Sequence, residues 1–156
     1  MRCDHFDAGT CRSCSLLPQP YERQLAGKAE AIAATLSPVL GADEIAWLAP
    51  ASSPQKGFRT SAKLVVGGTR RRPTLGILGP DRRGIDLPGC PIQHPAINRA
   101  TPGLKRFIRS LSLTPYDVPT KRGELKNILI TVGAGEQLMI RFVLRTRERV
   151  SDIRSA

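Results

Sequence analysis

The chain has 156 residues, enough for about one domain with a real core. Apolar residues make up 40% and charged residues 24%, which excludes a disordered tail. No apolar run approaches the ~18 residues of a membrane span. Lys and Arg number 24 against 13 Asp and Glu, a net charge of +11, and 18 of the 24 cations are arginine. Guanidinium forks suit phosphate and stack on bases, so this balance favours a nucleic-acid partner, although charge alone also describes a solvated surface.

The opening residues, Met1-Arg2-Cys3-Asp4-His5-Phe6-Asp7, lack the apolar stretch of a secretory signal. Residues 3–14 are short, polar and cysteine-rich, with no periodicity, and are read as a loop that a hydrophobic core does not hold. A helix follows: Leu25, Ala29, Ile32, Leu36 and Val39 form one apolar stripe, with Pro20 near its start and Ser37-Pro38 near its end. Leu64-Val65-Val66 and Leu75-Gly76-Ile77-Leu78 read as a hairpin turning at Arg70-Arg71-Arg72. A second helix is expected between 95 and 111, with Leu104, Phe107, Ile108 and Leu111 on one face; Thr101-Pro102 either caps or kinks it. Residues 127–132 and 137–144 form a second hairpin around Gly133-Ala134-Gly135. That Gly-x-Gly is a turn rather than a nucleotide loop, because the residues after it are β-rich and no helix follows. The fold class is α+β: mainly antiparallel sheet with packed helices and a cysteine-rich N-terminal cluster-binding flap. Residues 1–19 are taken as the flap and 20–150 as a central α+β domain.

Four cysteines without an export signal point to metal or redox chemistry rather than disulfides. Cys11 and Cys14 are spaced to bite one metal, Cys3 lies in the same segment, and Cys90, followed by Pro91, is remote. Four thiolates suit zinc or an iron–sulfur cluster. Structural zinc usually takes two close pairs, whereas three ligands plus a remote Cys-Pro lie nearer to a [4Fe–4S] pattern. His5 and His94 are read as ordinary polar residues, and Glu124, among cations, as an ion-pair partner.

These features together resemble the iron–sulfur 23S rRNA (uracil-5-)-methyltransferases, most closely the type that acts on uracil 747. The resemblance is carried by Met1-Arg2-Cys3, Asp7-Ala8-Gly9, Cys11-Arg12-Ser13-Cys14, Gly57-Phe58-Arg59 with Ala62-Lys63, Leu113-Thr114-Pro115-Tyr116, Lys121-Arg122-Gly123-Glu124-Leu125-Lys126 and Arg141-Phe142-Val143-Leu144-Arg145. It implies a cytoplasmic protein whose Cys3, Cys11, Cys14 and Cys90 hold a [4Fe–4S] cluster and whose partner is 23S ribosomal RNA. Family enzymes carry a further domain that binds S-adenosylmethionine and supplies a cysteine nucleophile and a carboxylate base. No fifth cysteine exists in these 156 residues, so that catalytic domain is expected to be absent, S-adenosylmethionine to serve the complete enzyme only, and the chain alone to bind without methylating. A separately encoded catalytic domain is then a possible partner.

The RNA-binding residues expected from this resemblance are Phe58, Arg59, Lys63, Lys121, Arg122 and Lys126. Arg70-Arg71-Arg72 and Arg82-Arg83 are further basic candidates. Two other readings are a stand-alone RNA-binding module stapled by a cluster or zinc, without chemistry, and a ferredoxin-like electron carrier. The carrier is weakest, because carriers rarely need so much positive charge.

Overall fold

Ala62, Leu64 and Val66 alternate with Ser61, Lys63 and Val65, and here the chain is a strand with its apolar side chains turned into the core. The computed structural model describes residues 1–40 and 45–156. It divides into two units, Met1–Gln55 and Lys56–Ala156.

The first unit holds helices α1 (Asp4–Asp7) and α2 (Tyr21–Leu40). The segment read as a loop thus contains one helical turn, made because the Cys3 carbonyl accepts from the Phe6 and Asp7 amides. α2 follows the expected stripe but runs through Pro38 to Leu40. Proline there forfeits only one bond of the last turn, and helix ends are the least sharply defined part of a helix. None of its residues is buried; Ile32 is 53% and Val39 78% exposed. The start of α2 is tied down where the Tyr21 hydroxyl accepts from the Ser53 amide at 2.9 Å.

The second unit is a five-stranded antiparallel sheet, β1 (Ser61–Gly68), β2 (Pro73–Leu78), β3 (Gly84–Asp86), β4 (Leu125–Val132) and β5 (Leu138–Leu144), in the order β3-β2-β1-β4-β5. Helix α3 (Pro95–Ser110) packs on one face, and α4 (Val150–Ser155) closes the chain. This is the expected α+β architecture. Both predicted hairpins are present, and Gly133-Ala134-Gly135 is a turn with Gly135 at φ +63. α3 is capped by His94, whose Nδ1 accepts from the Ala96 amide, with Pro95 in the first turn. Pro102 lies inside the helix, so it does not begin a new one.

The core lies between α3 and the sheet. Leu75, Ile97, Ile108, Leu113, Leu125, Ile128 and Ile130 are fully buried, each contributing about 1.5–3 kcal/mol. Register dictates the other face. Lys63 pairs with Leu129, which pairs with Arg141, while Ser61 pairs with Thr131 and Thr131 with Met139. A bulge at Lys126, between Leu125 and Asn127, resets the alternation of β4.

Candidate nucleic-acid interface and cysteine ligands

Charge is unevenly divided. Residues 56–156 hold 20 Lys and Arg against seven Asp and Glu, a net of +13, while residues 1–55 hold four against six, a net of −2. Within the second unit the acids are largely occupied internally. Asp86 accepts from Lys105 Nζ at 2.6 Å and from the Leu75 amide, and Asp81 holds the Arg83 amide. Glu136 pairs with Arg99, and Asp152 with Arg149. Glu124 is buried; its Oε1 accepts from the Thr146 amide at 2.7 Å and hydroxyl at 2.9 Å, and Arg145 Nε lies 3.9 Å from Oε2. It is a structural ion-pair partner and backbone acceptor.

Phe58 and Arg59 precede β1 on a short parallel ladder with the segment after Cys90. Gly57 N donates to the Pro91 carbonyl, Arg59 N to the Ile92 carbonyl and His94 N to the Arg59 carbonyl, each at 2.9 Å. Both side chains are exposed; Phe58 is 49% exposed, so it is not a core residue. Lys63 is exposed on the sheet face away from α3.

Lys121 and Arg122 belong to a closed loop. Asp117 N donates to the Arg122 carbonyl at 2.8 Å, and Asp117 Oδ2 accepts from the amide and hydroxyl of Thr120 at 3.0 and 2.6 Å. These two bonds lower the Asp117 carboxyl pKa below its ordinary value. Gly123 follows at φ +100, and a Cβ there would lie 2.0 Å from the Pro115 carbonyl oxygen, so only glycine lets the two segments meet. Lys126 is half-buried, its Nζ 5.0 Å from the Tyr116 ring centre, a cation–π contact.

The six expected residues therefore do not form one patch. Because β1 and β4 are antiparallel, Phe58-Arg59 and Lys121-Arg122 lie at opposite ends of eight-residue strands about 25 Å long, with Lys63 between them. Arg141 joins Lys63 on the same face and was missed, because only the pairing through Leu129 brings it there. The division of charge was also missed; it becomes visible once the boundary at Gln55 is known.

Cys3, Cys11 and Cys14 lie in the first unit and Cys90 in the second. Cys3 is buried and the others are half-buried. The backbone folds back between the first two, with Cys11 N donating to the His5 carbonyl at 3.0 Å, and Cys11 Sγ lies 3.5 Å from Ser13 Oγ. The Cys90 carbonyl accepts from Gln93 N at 3.1 Å and Asn98 Nδ2 at 3.0 Å. Among the described residues no three His, Cys, Asp or Glu side chains converge as they would around a metal ion. By donor chemistry, four thiols fit a soft centre, zinc or iron–sulfur.

Two 23S rRNA (uracil(747)-C(5))-methyltransferases called RlmC, from Enterobacter sp. (strain 638) and Cronobacter sakazakii, align with all of the chain at 41% and 43% identity. The chain is RlmC-like along its whole length. It spans 41% of the length of each of these RlmC proteins. The uracil-5-methyltransferase resemblance expected from the cysteine and Lys121-to-Lys126 motifs is thus borne out. No family model matches the RlmC-like chain. A solved structure, that of Pyrococcus abyssi tRNA (uracil-54, C5)-methyltransferase in complex with S-adenosyl-L-homocysteine, shares the fold. It covers 87% of this chain and 32% of its own, with a TM-score of 0.65 at 23% identity. Among the described residues, no helix is long and apolar enough to cross a membrane.

Proposed function

We propose that this chain is the N-terminal, RNA-recognising and cluster-holding part of an S-adenosylmethionine-dependent 23S rRNA uracil-C5 methyltransferase that works in the cytoplasm. The observation that carries the reading is full-length similarity to RlmC proteins at 41–43% identity over 41% of their length. The net charge of +13 on the second unit supports RNA as the partner.

In this reading Arg59, Lys63, Lys121 and Arg122 take phosphates on either side of the outer sheet face. Phe58 offers a ring for stacking, and Lys126 orients Tyr116 and adds positive potential. Cys3, Cys11, Cys14 and Cys90 hold a [4Fe–4S] cluster, which when bound supplies a covalent staple across a long chain separation, where loop-closure entropy is large. With all four cysteines so engaged, no cysteine of these 156 residues is left to act as the carbon-6 nucleophile. The methyl-transfer step belongs to a catalytic domain, carried with this chain or encoded apart from it.

The test is binding of the purified chain to a fragment of 23S rRNA containing uracil 747 across a salt series, beside a methyl-transfer assay with labelled S-adenosylmethionine. Binding should weaken steeply with salt, and the double variant Lys121→Ala/Arg122→Ala should flatten the log–log slope by about 0.7 for each phosphate no longer neutralised. No methyl transfer is expected. Failure to bind RNA, or methylation by these 156 residues alone, overturns the proposal.

A further inference from the structure

The sheet face opposite α3 carries a cleft that the basic motifs alone do not reveal. On β1, Lys63, Val65 and Gly67 point away from the buried Leu64 and Val66, and the register places Leu78 of β2 on that same side. At the β1–β2–β3 corner this face hollows into a cleft of about 350 Å³. Val65 and Leu78 supply an apolar floor, Tyr116 an aromatic wall, Arg82 and Arg83 a cationic rim, and Asp117 a carboxylate at the side of Tyr116. The 79–83 turn fixes the two arginines. Gly79 N donates to the Arg83 carbonyl at 2.7 Å, Arg82 N to the Gly79 carbonyl at 2.9 Å, and Arg83 N to Asp81 Oδ1 at 3.0 Å.

The rim is open to an anion. Among the described residues Arg82 meets no carboxylate within ion-pair distance, and Arg83 reaches Asp117 only at 3.9 Å through Nε. Asp117 is already bound by Thr120, and its charge repels phosphate from that side while offering an acceptor. The cleft is thus polarised, cationic at one side and an acceptor at the other, over a floor that a flat ring can cover. Its volume is at the small end of ligand sites, which run from about 300 to 1,000 Å³. Single-stranded RNA presents the matching chemistry: an unstacked base to lie on apolar and aromatic side chains, a 2′-hydroxyl and a phosphate.

We propose that this cleft receives one unstacked nucleotide of single-stranded RNA, its base on Val65, Leu78 and the Tyr116 ring and its phosphate on Arg82 and Arg83. The inference rests on the reading of the chain as an RNA-binding part and names where one nucleotide is held. It adds three residues, Val65, Leu78 and Tyr116, and a defined role for Arg82 and Arg83.

The test uses the full 156-residue chain with a single-stranded RNA from the uracil-747 region bearing 4-thiouridine, and a duplex of equal length. Irradiation should cross-link the single strand to peptides containing Leu78 or Tyr116, read by mass spectrometry. Leu78→Trp fills the cleft without changing charge and should weaken single-strand binding about tenfold while leaving duplex binding unchanged. Arg82→Ala/Arg83→Ala should weaken it at least as much and flatten the salt slope by about 0.7, the value for one phosphate on a single strand. Arg154→Ala, a smaller charge change on α4, should stay within about threefold of the parent. Should Leu78→Trp fail to fold, the cross-link map of the unmodified chain decides. RNA binding with cross-links elsewhere, or undiminished binding by folded Leu78→Trp, overturns the cleft and leaves the RNA-binding reading standing. No RNA binding by the parent chain overturns both.

Discussion

Gly67 and Gly84 face one another across β2. A Cβ built on either would sit 2.7 Å from the other's Cα, closer than side-chain carbons approach backbone. β1 and β3 each pair along the sheet through β2, so this contact means that the sheet curls sharply at its β3 edge. Thr74 lies inside the curl, its hydroxyl donating to the Gly84 carbonyl at 3.3 Å. The curl brings the Arg82-Arg83 turn to the mouth of the cleft, because Gly84 follows it directly.

Gly67→Ala and Gly84→Ala should therefore each destabilise the chain by about 1–3 kcal/mol through overpacking against backbone. Gly133→Ala is the contrast, since its Cβ would meet nothing closer than the Gln137 oxygen at 3.7 Å and its φ is negative. Urea unfolding of the three variants checks this. Equal midpoints for Gly67→Ala and Gly133→Ala would mean that the curl relaxes.

Glu124 should behave as an acceptor more than as a charge. Glu124→Ala strips the Thr146 amide and hydroxyl of their partner and should cost about 1–3 kcal/mol. Glu124→Gln retains an acceptor oxygen and should cost less than half as much. The ordering is read from thermal or denaturant midpoints, and the reverse order would assign the energy to the Arg145 ion pair instead.

Asp117 ties the Lys121-Arg122 loop shut in a pH-dependent way. Its pKa is lowered in the fold, first by the Thr120 hydroxyl and next by the Thr120 amide. The folded state thus binds that proton less readily than the unfolded state. Its contribution to loop order is complete above the ordinary carboxylate pKa and is lost as pH falls through the lowered one. Hydrogen exchange at the Thr120 amide should accelerate in that acid range beyond its intrinsic pH dependence. Thr120→Ala should move the Asp117 titration upward, toward the ordinary value, in carboxyl NMR.

The cysteine assignment is decided by anaerobic purification with iron, sulfide and zinc quantified. About four irons and four sulfides per chain, with broad visible absorption, support the cluster. Cys90→Ser should lower both. Asn98→Ala removes one of the two donors to the Cys90 carbonyl and should hasten iron loss in air without abolishing initial loading, as expected of a positioning residue. One zinc and no sulfide would replace the cluster with a structural zinc, and no metal at all would sink the ligand set.

Both hairpins were legible in the sequence because short aliphatic, β-rich runs bounded by glycine turns are local signals. β3 was not: three residues, Gly84–Asp86, show no alternation and are a strand only through pairing with β2. The stripe on α2 was legible as a helix, yet periodicity reports which residues line up and not what they meet; Ile32 and Val39 remain largely exposed. Of the candidate interface, the residue types were readable in the sequence. Their grouping was not, because Lys63 and Arg141 share a face only through the pairing of both with Leu129, and cross-strand register leaves no mark in composition. The cleft was hidden for the same reason: Leu78 and Tyr116 are far apart in sequence, and neither is unusual where it stands.

The ladder between 57–59 and 91–94 joins Phe58 to the Cys90 segment through backbone bonds that cannot shift one at a time. The two segments form one mechanical piece, so restraint applied at the cysteine also narrows the positions open to the ring. Thermodynamic reciprocity then runs both ways: if RNA seats on Phe58, a ligand that holds Cys90 in register favours it, and the RNA tightens that ligand's binding by the same factor.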